Sequence, residues 1–158
     1  AVMGIMDPYA IKFYPDDIKK RIRLSDPVES IKKEMKKLSS KADIFILLTH
    51  QGYDLDVEFA KKIDGLDLIV GSHSQTKIES PKEVNDALIV QAGKSGYYVG
   101  IVEIKTNRGK VVEKSGRIDT MKFDMPDDPR IMKMIEEYES KTGRMNMRKK
   151  KLKEKANG

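Results

Sequence analysis

Residues 44–52 read Ile44-Phe45-Ile46-Leu47-Leu48-Thr49-His50-Gln51-Gly52, and residues 66–75 read Leu66-Asp67-Leu68-Ile69-Val70-Gly71-Ser72-His73-Ser74-Gln75. Each stretch is an apolar run of strand length that gives way to glycine, small hydroxyl residues and a histidine. Continuous runs of this kind suit strands buried on both faces, as in a parallel sheet covered by other layers. Between them, Asp54 or Asp56 can cap a short helix whose Leu55, Phe59 and Ile63 share one face, with Gly65 ending it. Upstream, Asp26-Pro27-Val28-Glu29 supplies an N-cap acid, a proline at the first helical position and a capping-box glutamate. Val28, Ile31, Met35, Leu38 and Ala42 then recur at helical spacing, opposite a lysine-rich face. Residues 1–6 read as a further strand, and residues 7–25, with Pro8 and Pro15, as a loop holding one short strand at most. The order strand, helix, strand, helix, strand predicts a parallel sheet with right-handed crossovers.

Downstream the pattern changes. Leu88-Ile89-Val90-Gln91, residues 97–105 and residues 110–118 are β-rich runs joined by short glycine-containing links, and Asn107-Arg108-Gly109 has the composition of a hairpin turn. An antiparallel set therefore follows the parallel one. Asp127-Asp128-Pro129 opens a last helix that carries Ile131, Met134, Ile135 and Tyr138 on one face, and Gly143 closes it. Residues 1–143 form the α/β body in this reading, and residues 144–158 a basic solvated tail or linker.

The charge follows that division. The 158 residues hold 31 Lys+Arg against 25 Asp+Glu, a formal charge of +6. Seven of the cations and a single anion, Glu154, lie in residues 144–158, so residues 1–143 carry 24 charges of each sign. Seven clustered cations could release counterions from a phosphate backbone. No aromatic residues interleave with them, however, and no groove-reading motif precedes them, so nucleic acid is not the predicted partner. The absence of cysteine excludes disulfides, thiolate metal sites and a cysteine nucleophile. No apolar run approaches the ~18 residues of a membrane span. The first six residues lack the basic start and cleavage site of a signal peptide; a strand opening directly on Ala1 predicts that the chain is the downstream part of something longer.

His50 and His73 are the chain's only histidines, and each sits just past the carboxyl end of a predicted parallel strand. Open α/β sheets bind their ligands in the crevice outside those strand ends. The two strands are joined by one short crossover, so as neighbours they would lie roughly 5 Å apart, and their loops can point two imidazoles at one ion. Gln75 can offer a side-chain carbonyl oxygen from the same turn, and Gly52 and Gly71 permit tight backbone turns beside the ligands. A lone loop histidine is ordinarily solvated or a cap; the equivalent placement of both is what points to metal. Two imidazoles and an amide oxygen suit Zn, Mn, Fe or Co rather than Ca or Mg. A hydrolytic two-metal centre also needs carboxylates to hold ions about 3.5–4 Å apart, and these three ligands are neutral.

These two stretches resemble the last two motifs of the calcineurin-like metallophosphoesterases. They are most similar to the 5'-nucleotidase branch, in which an L-[ST]-H-x-G loop and a G-G-H-[ST]-[HQ] loop each end a core strand. Ser72 stands where the second glycine is usual, and glutamine at the position of Gln75 is similar to the periplasmic nucleotidase and sugar-nucleotide hydrolase branch. The resemblance implies a four-layer α/β/β/α sandwich, here as a partial domain, the C-terminal half of the metallophosphatase domain. It implies two divalent metal ions, with His50 and His73 as ligands of one and Gln75 of the other. The family's upstream motifs (an Asp-x-His pair, a Gly-Asp and a Gly-Asn-His-[Glu/Asp] that carries the catalytic histidine) have no counterpart in this chain. The expected activity is therefore that of a parent hydrolase acting on a nucleotide or related phosphoester, with no catalytic residue supplied here and little turnover by these residues alone. The implied partners are the upstream half of the same domain and a C-terminal substrate domain, and the implied location is the periplasm or cell surface.

The alternative is a non-catalytic binding module that keeps the fold and uses its crevice or basic tail for a partner. Gly93-Lys94-Ser95 invites a phosphate-loop reading but lacks the glycine five residues before Gly93 that such a loop requires; a structural turn is expected. Asp54 and Asp56 read as helix caps rather than extra metal carboxylates.

Overall fold

The computed structural model describes residues 1–143; the tail assigned to residues 144–158 lies outside the described residues. Strands β1 (Val2–Met6), β2 (Ile46–His50), β3 (Leu68–Val70), β4 (Lys82–Val84) and β5 (Ala87–Val90) form one sheet in the order β1-β2-β3-β5-β4. The first four strands in that order run parallel: β1, β2 and β3 do so as predicted, whereas β5, whose Leu88–Val90 run was expected in the antiparallel set, joins the parallel sheet beside β3 and pairs antiparallel only with the short edge strand β4. A one-turn helix α1 (Asp16–Lys19) and the longer α2 (Pro27–Leu38) precede β2, and α3 (Tyr53–Lys62) links β2 to β3. Strands β6 (Tyr98–Asn107) and β7 (Lys110–Thr120) make a separate antiparallel hairpin. Its turn places Arg108 and Gly109 at φ 49° and 76°, the left-handed pair that a two-residue hairpin turn needs.

Register decides which side chains share a face. Met3, Leu47, Ile69 and Ile89 are aligned across β1, β2, β3 and β5. Leu47, Ile69 and Ile89 pack with Ile31 of α2 and with Phe59, Ala60 and Ile63 of the α3 segment in one buried cluster. On the opposite face, Leu68, Val70 and Val90 look toward Gly100, Val102 and Ile118 of the hairpin across a cavity of about 310 Å³. Helices, sheet and hairpin are thus stacked as α, β and β layers. A second compact unit begins at Lys122. It holds α4 (Pro129–Thr142), whose N-cap Asp128 accepts from the amides of Arg130 and Ile131 and whose closing Gly143 sits at φ 65°.

Several local expectations change. Residues 7–25 contain no strand; Asp7 accepts from the Tyr9 amide at 2.8 Å to start a 3-10 helix over Pro8–Phe13, and α1 follows. Asp26 caps α2 through the Glu29 amide at 2.9 Å, as its motif predicts. Strand β2 is buried on one face only, since Leu47 and Thr49 point inward while Leu48 is 45% exposed. The hairpin covers β3 and β5, and Leu48 shares the open face with the exposed Val2 and Met6 of β1. Helix α3 has Gly52, not an aspartate, at its N-cap, and its buried face runs Asp56, Phe59, Ala60 with Leu55 turned outward. The Gly93-Lys94-Ser95 segment is a turn: Gly93 and Ser95 take φ 72° and 56°, and a Cβ on Gly93 would press on the Tyr98 ring at 3.0 Å.

Candidate metal centre

The sheet brings the two histidine loops together. His50 is the last residue of β2, paired with Met6 of β1, and its carbonyl accepts from the Asp7 amide at 3.0 Å. Two residues on, Gly52 takes φ 99°, a conformation that L side chains rarely adopt, and its amide donates to the Ser72 carbonyl at 3.1 Å. After β3, the Gly71 amide donates to the Val90 carbonyl at 2.8 Å, and the chain then turns sharply through His73 at φ 79° and Gln75 at φ 56°. Positive φ at two non-glycine residues in one five-residue loop is a local strain of the kind that concentrates at functional sites.

Hydrogen bonds hold that turn in place. Ser74 Oγ accepts from the Tyr53 amide at 3.1 Å, capping α3 from a different loop. The same hydroxyl lies 3.1 Å from Gln91 Oε1, to which it donates, and 2.9 Å from Thr76 Oγ1. The imidazoles of His50 and His73 meet edge to face, with ring centroids 5.1 Å apart and planes inclined at 73°. Both rings, and Gln75, are exposed at the carboxyl ends of the strands. Ser72 Oγ lies 2.7 Å from His50 Nδ1. With Nδ1–H donating to that hydroxyl, Nε2 keeps its lone pair for a ligand, the usual way in which an outer partner orients a metal-binding histidine.

The donor set fits a transition ion in part. Two adjacent imidazoles on exposed loops, one already oriented through its other nitrogen, are suitable first-row ligands. Among the described residues no cluster of three His, Cys, Asp or Glu side chains forms a complete site, so further ligands of a closed centre would come from elsewhere. Gln75 follows His73 by two positions on the same turn.

Two features of the site went unpredicted. Gly71 has no positive φ; its missing side chain leaves room for Asp56, whose Oδ2 an ideal Cβ there would overlap. Asp56 itself is fully buried. Its Oδ1 accepts from Gln51 Nε2 at 3.1 Å, while Oδ2 and the nearby Thr49 Oγ1 have no partner in bonding geometry. Burial pushes this carboxyl above its ordinary 3.8, with Thr49 and Gln51 opposing the shift. One signal of this role was present in the sequence: Asp56 stands three, four and seven positions before Phe59, Ala60 and Ile63, the spacing of a buried helical stripe.

Comparison with known proteins places this geometry. No family model matches the chain. It is 36% identical over 104 residues to the uncharacterized metallophosphoesterase YunD of Bacillus subtilis, a match covering 66% of the chain and 22% of that protein. It is 28% identical over 136 residues to the 5'-nucleotidase of Homo sapiens, covering 73% of the chain and 24% of that protein. The chain thus spans about a quarter, or less, of the length of these curated relatives. Among solved structures, the 5'-nucleotidase precursor of Thermus thermophilus aligns at TM-score 0.63 and 25% identity over 73% of the chain and 27% of its own. The sulfate thiohydrolase SoxB of the same organism aligns at TM-score 0.78 and 21% identity over 90% of the chain and 27% of its own, a likeness of fold. Among the described residues no helix is long and apolar enough to cross a membrane. The chain's relatives by sequence are metallophosphoesterases and 5'-nucleotidases and its fold is theirs, which matches the calcineurin-like resemblance carried by the two histidine loops.

Proposed function

We propose that the chain is part of a metal-dependent phosphoester hydrolase of the 5'-nucleotidase type, and that its role there is to supply ligands. The observation that carries this reading is the pair of exposed imidazoles held edge to face, 5.1 Å between centroids, at the carboxyl ends of neighbouring parallel strands. His50 and His73 would hold one divalent ion, and Gln75 would reach a second. Zn, Mn, Fe and Co all suit such donors. Bound divalent metals supply an activated water and neutralise the charge that develops at phosphorus.

The chain's own residues orient ligands and do not move protons. Ser72 fixes the His50 ring, Ser74 fastens the turn that presents His73, and Gln75 follows on that turn. The catalytic histidine and the bridging carboxylate belong to upstream motifs that these residues do not contain, so the chain alone should hydrolyse phosphoesters poorly or not at all. The open face carrying Val2, Met6 and Leu48 is consistent with a body completed by another half of the domain. The names of the relatives favour a nucleotide or related phosphoester as substrate, a further C-terminal domain would select it, and the resemblance implies the periplasm or cell surface.

The test measures metal content and phosphatase turnover in the longer protein that contains this chain. His50→Ala and His73→Ala should each lower bound metal and turnover together, while the isolated chain stays inactive. Unchanged metal stoichiometry in both variants, or robust metal-dependent turnover by the isolated chain, would refute the assignment.

A further inference from the structure

Asp56 stands out because nothing in ligand supply asks for a carboxyl there. It lies on the inner face of α3, fully buried beside Phe59 and Ala60. Burying a polar group with an unpartnered oxygen costs folding free energy that an apolar side chain of the same size would not. One of its oxygens is tied to Gln51, the residue after His50. The other fills the space left by Gly71, two residues before His73.

We propose that Asp56 is a positioning residue, whose buried carboxyl locks the loop carrying His50 to the loop carrying His73 and so sets the separation of the two imidazoles. This rests on the metal-ligand reading above. The loops have one direct backbone link, from the Gly52 amide to the Ser72 carbonyl at 3.1 Å. Asp56 supplies a buried brace: one oxygen accepts from the Gln51 side chain of the first loop, and the other packs against Gly71 of the second, where a Cβ would otherwise sit. Partners of this kind, beyond the ligands themselves, typically control metal affinity by about 10- to 100-fold.

The test uses the full chain and two readouts. Amide exchange is measured on metal-free protein, and Co(II) binding by titration of its visible absorption. Asp56→Ala should lose exchange protection at the Gly52 and Gly71 amides and bind Co(II) at least ~10-fold more weakly. Asp56→Asn, which keeps an acceptor for Gln51, should recover most of both. Where Asp56→Ala fails to fold, Asp56→Leu, similar in size and apolar, carries the same expectation. Ile31→Val, a core change away from both loops, should lower stability and leave Co(II) affinity intact. Wild-type Co(II) affinity in Asp56→Ala or Asp56→Leu, or an equal loss in Ile31→Val, would overturn the proposal. If His50→Ala binds Co(II) as the wild type does, the metal reading fails instead, and the exchange data alone decide whether Asp56 braces the loops.

Discussion

The two histidine loops reach similar positions by opposite means. In the first, the histidine is regular and the glycine is special: His50 ends β2 in strand geometry, and Gly52 takes the positive φ that turns the chain into α3. In the second, the histidine is special and the glycine has an ordinary backbone: His73 carries the positive φ, and Gly71 serves only by lacking a Cβ. Equivalent histidine positions therefore do not imply equivalent backbones. The first imidazole is delivered by secondary structure and the second by a strained turn that serine hydrogen bonds hold shut.

The sharpest way to break this comparison is to give Gly71 a side chain. Gly71→Ala adds a methyl group where Asp56 Oδ2 sits, in a site with no solvent to receive the displaced carboxyl. Overpacking of this kind costs about 1–3 kcal/mol, measurable by denaturant unfolding. The cost should shrink in the Asp56→Ala background, where the methyl group has room. A double-mutant cycle reads that coupling directly; additive effects would mean that Gly71 is needed for its backbone after all and that the two glycines are alike.

The histidines themselves give the next largest contrast. His73→Gly should stabilise the metal-free protein by about 1 kcal/mol, because a left-handed conformation is costly for any residue with a Cβ and free for glycine. His50→Gly should destabilise it by about 0.5–1 kcal/mol, since it puts a flexible residue at a strand end. Opposite signs in urea melts support the distinction between a strained loop and a regular one. Equal signs would remove it.

The β1-β2-β3 part of the parallel core was legible in the sequence because its cues are local and agree with one another, whereas the parallel pairing of β5 with β3 was not. The capping motif at Asp26, the apolar strands ending in Thr49-His50 and Gly71-Ser72-His73, and the Asn107-Arg108-Gly109 turn each specify their own backbone. What was not legible depends on partners far along the chain. The run of residues 44–48 does not reveal that its outward side, at Leu48, is left open where the hairpin stops short. Lys82-Glu83-Val84 is too short and too polar to declare a strand, and only its pairing with β5 makes it one. Asp56 was missed for a related reason. An acid near the start of a helix reads as a cap, and only the tertiary structure shows that Gly52 holds that place and that the carboxyl faces inward.

The raised pKa of Asp56 gives a third prediction. Burial disfavours its carboxylate, so the folded protein holds this proton more tightly than the unfolded chain, whose reference is 3.8. The stability that this group contributes is fully present below 3.8, declines as pH rises above it, and is lost once pH passes the folded value. Asp56→Asn cannot titrate and should show a flatter stability curve from pH 3.8 upward, so that its advantage over the wild type grows with pH. Parallel curves for the two proteins would show that the carboxyl is solvated in the folded state.

The smallest effect tests the point at which the two loops touch through a side chain. Ser72 belongs to the second loop, yet its hydroxyl meets His50 Nδ1 of the first at 2.7 Å. Without that partner the His50 ring can exchange tautomers and leave Nε2 protonated part of the time, when it cannot bind metal. Ser72→Ala should therefore weaken Co(II) binding by about 0.5–1.5 kcal/mol, the net worth of one such hydrogen bond. Unfolding stability should change little, because the His50 side of the bond is exposed. Nitrogen NMR of the imidazole separates the possibilities: a single Nδ1–H tautomer in the wild type that becomes a mixture in Ser72→Ala supports orientation by the serine. An unchanged spectrum would mean that the first loop holds its histidine by strand geometry alone, and the contrast between the loops would then be complete.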